Sequence, residues 1–223
     1  MSSKLGFLSL RLNGIFYSWG FDSQYNRRNT RMMPTRSAIA GMCCAALGFY
    51  RGSEEEALFL SSDFPCLKMV SLRQSRRLGG KQLDVRKLND YHTVQNTITA
   101  SGKLKDCHIT NRYYLSDVSF GVILQGDYSF LEKISNALKN PVWGLWFGRK
   151  NCIPAAPVMA GLFEEEETAL RALVSDAPLE SLIVEKEADN FLDGKDSIPD
   201  WPMSFAMSNR VFAPRRIVTQ GKL

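Results

Sequence analysis

The sequence predicts an α+β fold: a ferredoxin-like, split β-α-β core, a protruding β-hairpin, and a small β-rich C-terminal extension. Three observations predict it. Two strand–helix units recur, one opening at Leu8 and one at Val118. Residues 95–111 are polar, holding Asn96, Thr97, Thr99, Ser101, Gly102, Lys103, Lys105 and Asp106. They cannot build a core and read as an exposed hairpin or arm, with a disordered loop as the alternative. Finally, 223 residues with 44% apolar and 23% charged side chains can bury one sizeable core plus an appendage.

In the first unit, Leu8, Leu10 and Leu12 alternate with Ser9, Arg11 and Asn13, a half-buried strand closed by Gly14. Phe16, Tyr17 and Trp19 follow as an aromatic turn, read as core packing ahead of base stacking. A basic linker over 24–32 leads into a buried helix over Met33–Phe49. Pro34 and Thr35 stop the incoming chain, and Thr35 can cap the free N–H groups. Ile39, Met42, Cys43, Ala46 and Leu47 recur at helical spacing, and Gly48 supplies a left-handed stop. The uncharged run from Ala38 to Tyr50 is too short to span a bilayer. Arg27, Arg28, Arg31 and Arg36 crowd the helix N-terminus, where the dipole favours anions. They make either a phosphate site or a solvated basic loop.

Ser53–Glu56 is a capping box before a short helix through Leu60, and Lys68–Leu72 reads as a strand. Arg73, Arg76, Arg77, Gly79, Gly80 and Lys81 make a basic, flexible connection. In the second unit, Val118, Phe120, Val122 and Leu124 form the clearest strand, central because Ile123 is apolar on the other face. Gly126-Asp127 turns it, Ser129-x-x-Glu132 is a second capping box, and Leu131, Ile134 and Leu138 give a helical face ending at Asn140-Pro141. Two such units suggest the sheet that serves RNA-recognition domains as a platform.

After it, Phe147-Gly148-Arg149-Lys150 places a glycine and two cations behind an apolar strand, where backbone and side chains can approach phosphate. Glu164–Val174 reads as an acidic-led helix, Leu182 and Val184 as a strand, and 189–200 as a solvated acidic loop. A last strand runs around Val211–Phe212.

Net charge of +5 and a pI near 9.0 suit an acidic or nucleic-acid partner. Five cysteines without a C-x-x-C pair read as reduced thiols rather than a zinc site. The opening residues do not read as a signal peptide, since Arg11 interrupts the apolar pattern, so a cytoplasmic protein is expected.

Four segments carry a family resemblance. They are Leu10–Gly14 with Trp19-Gly20; Pro34–Ser37 and its helix; Asp90–Val94 with Thr110-x-Arg112-x-Tyr114-Leu115-x-Asp117; and Phe147–Pro154. In order and spacing across about residues 5–160, the chain resembles the Cas-five (CasD-like) subunits of CRISPR Cascade, most closely the type I-E branch. The resemblance implies a ferredoxin-like, RNA-recognition-type core over 1–160, with a thumb hairpin at about 77–112, and an extension over 161–223 packed on the core. It implies a subunit that holds the 5′ handle of the CRISPR RNA and caps the filament in antiviral interference. Its partners would be the backbone and large subunits, with target DNA nearby and no membrane. Arg27, Arg28, Arg31, Arg36, Arg149 and Lys150 would meet phosphates. Tyr91, His92 and Arg112 would stack on or hydrogen-bond to handle bases, although Tyr91 and His92 could equally pack beneath the thumb.

Type I-C relatives cut the RNA precursor with a tyrosine and an adjacent lysine and histidine. Here the only histidines are His92 and His108, and no Lys–His dipeptide occurs. The sequence therefore predicts a non-catalytic subunit with no catalytic residue, metal or cofactor, with a processing endoribonuclease as the alternative.

Overall fold

The computed structural model describes residues 4–99, 101–174, 182–194 and 196–221. Its centre is a mixed α+β arrangement around a seven-stranded antiparallel sheet. The first strand, β1 (Leu5–Leu12), leads through the short strands β2 (Trp19–Gly20), β3 (Arg27–Arg28) and β4 (Thr30–Arg31) into helix α1 (Arg36–Leu47). Helix α2 (Glu54–Leu58) and two further helical turns precede β5 (Lys68–Ser75). Two hairpins follow: β6 (Arg77–Leu78) with β7 (Lys81–Gln82), and β8 (Arg86–Ile98) with β9 (Leu104–Ser116). Then come β10 (Val118–Asp127), α3 (Tyr128–Lys139), β11 (Met159–Phe163), α4 (Glu166–Val174), β12 (Leu182–Glu187), β13 (Asp196–Ser204) and β14 (Val211–Gly221). The large sheet runs β11-β1-β10-β5-β12-β14-β13.

Period-two alternation decides which element covers which face. Leu8, Leu10 and Leu12 lie opposite Leu124, Val122 and Phe120 and enter the main core, which α1 and α3 close with Ile39, Cys43, Leu131 and Ile134. Phe7 and Ile123 face the other way and meet Ala169 of α4. Ser9 donates to the Ala169 carbonyl at 2.8 Å and Arg11 to that of Ala172 at 2.6 Å, tying α4 down. The aromatic turn is core, as its composition predicts: Tyr17 stacks on Phe147 with centroids 5.3 Å apart, and Trp19 meets Phe120 edge-on.

Helix α1 has the expected ends. Thr35 accepts from the Ala38 N–H, and Gly48 sits at φ 80°. Helix α3, the helix of the second strand–helix unit, departs from expectation: its cap is Asp127, not Ser129. Strand β10 runs straight into α3 without a turn, so Asp127 stands one residue ahead of the first free N–H groups. Its carboxylate accepts from the Phe130 N–H at 2.9 Å and from the Ser129 hydroxyl.

Three other expectations are corrected. The arm expected over 77–112 is two hairpins, the longer one covering 86–116. Residues 143–147 are irregular, with bends at Trp143 and Phe147, rather than a strand. The acidic loop ends before β13, and Asp200 is buried rather than solvated. The boundary drawn after residue 160 falls within β11, and β12, β14 and β13 continue the sheet beyond β5. Among the described residues no helix is long and apolar enough to cross a membrane.

Candidate nucleic-acid interface

The expected arginine cluster divides into two environments. The linker after the aromatic turn does not wander. Its β2 and β4 strands pair with each other, and β3 pairs in parallel with β9, Arg27 beside Asn111 and Arg28 beside Arg112. Tyr17 and Leu115 exchange backbone hydrogen bonds at 2.8 and 3.0 Å, and Asn111 N–H reaches the Asn26 carbonyl at 2.8 Å. Arg27 and Arg28 are thereby fixed to the base of the long hairpin, exposed, and away from the α1 N-terminus.

Arg31 and Arg36 belong instead to a buried ion-pair network. Arg31 forks onto Glu185 at 2.6 and 3.2 Å. Arg36 is 0% exposed. It pairs with Glu187, donates to the carbonyls of Phe64 and Leu67, and lies over the Trp201 ring at 4.1 Å. Arg215 forks onto Asp200 at 2.6 and 3.0 Å. Asp200 also accepts the Arg36 backbone N–H at 2.9 Å. The positive mouth of α1 thus already holds an anion from β13, and Arg36 has no face left for a phosphate. Burial pushes the Glu187 carboxyl upward, against the pull of Arg36 and Arg215, and pushes the Arg36 guanidinium downward.

The open surface lies where β3, β9, β8 and the Gly148 turn meet. Gly148 has φ 97°, and a Cβ there would stand 1.8 Å from the Ser18 carbonyl oxygen, so the turn requires glycine. It delivers Arg149 onto the Tyr114 ring at 4.7 Å. Arg149 Nη2 donates to the Arg28 carbonyl at 2.9 Å, while its Nη1 is buried with no partner among the described residues. Asn151 donates to the Tyr114 hydroxyl at 3.0 Å and holds the ring. Lys150 beside it is exposed.

Register sorts the hairpin residues. Asp90 faces Arg112 and His92 faces Thr110, on the side that carries Tyr114. Arg28 shares that side through its pairing with Arg112. Tyr91 faces Asn111 on the opposite side and is 62% exposed. Tyr91 is therefore not a packing residue beneath the hairpin, whereas the half-buried His92 lies on the side of the buried Thr110 and Tyr114. Arg28, Arg112 and Arg149 share one surface with His92 at its margin. Arg27 sits behind it, 5.6 Å over Tyr113. Sequence reasoning passed over Tyr114 as a seat for Arg149, although the spacing Thr110-x-Arg112-x-Tyr114 places the three on one strand face.

A family model for the CRISPR-associated protein Cas5 matches residues 7–218. The chain belongs to the Cas5 family. It is 29% identical over 206 residues to the CRISPR system Cascade subunit CasD of Escherichia coli K12, covering 88% of each chain. A chain of a CRISPR RNA-guided surveillance complex superposes with TM-score 0.75 at 25% identity, covering 97% of this chain and 90% of that one. A crystallised Cas protein gives 0.68 at 30% identity, covering 96% and 93%. The Cas5 match runs through all four segments that carry the resemblance and on past residue 160, across β11 to β14.

Proposed function

We propose that this Cas5 chain is a non-catalytic, cytoplasmic Cascade subunit. It holds the 5′ handle of the CRISPR RNA, caps the filament, and contacts the backbone and large subunits. The observation that carries the reading is the basic surface at the base of the long hairpin, where Arg149 is seated on Tyr114 and bound to the Arg28 carbonyl, with Arg28 and Arg112 paired beside it. A guanidinium stacked on a ring is held in place before a ligand arrives, and the exposed Arg28 and Lys150 beside it offer donors to a phosphate. Membership of the family of CasD supports it further. The segments β1, β5, β10 and β11 with α1 and α3 stand in the order 4-1-3-2, which supports a ferredoxin-like core. The Arg86–Ser116 hairpin supports a thumb, and β12 to β14 would be the C-terminal extension.

The test is repeat-derived RNA titrated across salt. Single-stranded contacts give a log–log slope of roughly −0.7 per phosphate. Arg149→Ala with Lys150→Ala should flatten it by about one to one and a half units. An unchanged slope in a folded variant removes both from the RNA surface.

One observation favours the endoribonuclease reading: Lys105 Nζ lies 3.3 Å from His108 Nδ1, a contact the absent dipeptide does not announce. Both side chains sit on the outer hairpin, where nothing encloses a reacting phosphate. Incubation of the parent with labelled repeat RNA without metal decides. A single specific cut lost in His108→Ala would establish catalysis.

A further inference from the structure

Residues 73–87 carry six cations, Arg73, Arg76, Arg77, Lys81, Arg86 and Lys87, against one acid, Asp84. Four of the six are engaged by the fold. Arg76 donates to the Gly14 carbonyl, Arg73 donates to that of Met32, Arg86 lies 3.5 Å from Asp117, and Lys87 lies 4.9 Å over Tyr113. The side chains of Arg77 and Lys81, the cations of the β6–β7 hairpin, make no hydrogen bond or ion pair with any described residue.

The hairpin itself is well specified. Gly79 and Gly80 have φ 56° and 79°, the paired positive values of a type I′ turn. A Cβ on either would meet nothing within 4 Å, so these glycines serve the turn and touch no neighbour. The root is tied down by Arg76 N–H to Asp117 carbonyl at 3.1 Å and Leu83 N–H to Arg76 carbonyl at 2.7 Å. Leu78, opposite Lys81 at the tip, is 72% exposed.

We propose that the Arg77–Gln82 hairpin contacts duplex nucleic acid, separately from the RNA surface at Arg149. Cross-strand pairing puts Arg77 and Lys81 on opposite faces of a narrow two-stranded ribbon. A ribbon of that width enters a duplex groove, which offers a phosphate rail on each side. Single strands are held on aromatic platforms, and no aromatic residue occurs between Arg73 and Asp90. An exposed aliphatic tip flanked by cations suits a base step in a groove. An acidic protein surface is the competing occupant.

The experiment is fluorescence anisotropy on the full chain with a mixed-sequence DNA duplex of about 20 base pairs, its single strand, repeat-derived RNA, and poly-glutamate, between about 50 and 200 mM salt. In Arg77→Gln with Lys81→Gln, the duplex slope should flatten by about 1.8, two phosphates' worth, while RNA affinity stays within about twofold. Leu78→Ala should weaken duplex binding and leave the slope alone. The Arg149→Ala, Lys150→Ala variant should keep the duplex slope, so failure of the RNA reading leaves this one standing. Four results overturn the proposal: no duplex binding by the parent at about 50 mM salt, an unchanged slope in the double variant, an equal loss on RNA, or a loss confined to poly-glutamate.

Discussion

Arg36 and Arg149 are the same residue type, each just after a turn, and they serve opposite ends. Around Arg36 the chain supplies Glu187, two carbonyls and the Trp201 ring, and excludes water. Around Arg149 it supplies one carbonyl and the Tyr114 ring, and leaves the side chain half-buried beside the exposed Arg28 and Lys150. The difference lies in the acids. Glu185 lies 154 residues from Arg31, and Glu187 and Asp200 lie 151 and 164 residues from Arg36, yet all three converge on one arginine group. No carboxylate pairs with Arg28, Arg112 or Arg149 among the described residues. Arginines matched by buried carboxylates hold the fold; arginines left over are available to a ligand.

The largest effect should come from breaking the matched group. Asp200→Ala leaves the Arg215 Nε and the first N–H of α1 buried without an acceptor, Arg215 keeping only its longer contacts to Glu185 and Glu187, and removal of one partner from such a network costs about 3–5 kcal/mol. Urea unfolding should show the loss, while RNA affinity of the folded fraction holds. Normal stability with lost RNA binding would invert the assignment of the two regions.

A smaller effect tests the unmatched group. Gly148→Ala forces the turn away from the Ser18 carbonyl and shifts Arg149 off its ring. Backbone strain of this kind costs of order 1–3 kcal/mol. RNA affinity should fall about as far as it does in Arg149→Ala; a cation seated on a ring is worth about 0.5–1 kcal/mol or more. Retained affinity would show that the turn does not position the arginine.

The smallest effect is a pH dependence outside both regions. The Ser129 hydroxyl and then the Phe130 N–H hold the Asp127 carboxyl below its ordinary value. A depressed carboxyl stabilises the native state above the unfolded pKa, near about 4, and that contribution is lost as pH falls through the folded value. Melting temperatures of Asp127→Asn and parent should therefore differ at neutral pH and converge in acid. A constant gap would place the effect elsewhere.

Local patterns were readable where one residue sufficed. Thr35 and Gly48 bound α1 as their chemistry requires, and Leu8, Leu10 and Leu12 announced the face that α1 covers. What sequence could not reveal depends on distant partners. The Pro34–Ser37 helix start looked like an anion site because Asp200 lies 164 residues from Arg36. Tyr91 and His92 are adjacent, yet register sends them to opposite faces. Asp127 was overlooked as a cap because Gly126-Asp127 resembles a turn, and only the uninterrupted strand reveals otherwise. At Arg149, Gly-Arg-Lys was visible, but the Tyr114 seat comes from another strand.

The parallel pairing of two-residue β3 against β9 has a mechanical consequence. The long hairpin behaves as a cantilever, clamped over Asn111–Ser116 by the linker and the Tyr17–Leu115 exchange and unsupported beyond. Its free arm from Asn111 to Leu104 spans seven residues, roughly 24 Å at about 3.4 Å per residue. Thermal deflection of a beam grows steeply with free length, so displacement at Leu104 should exceed that of Arg28 and Arg112 beside the clamp.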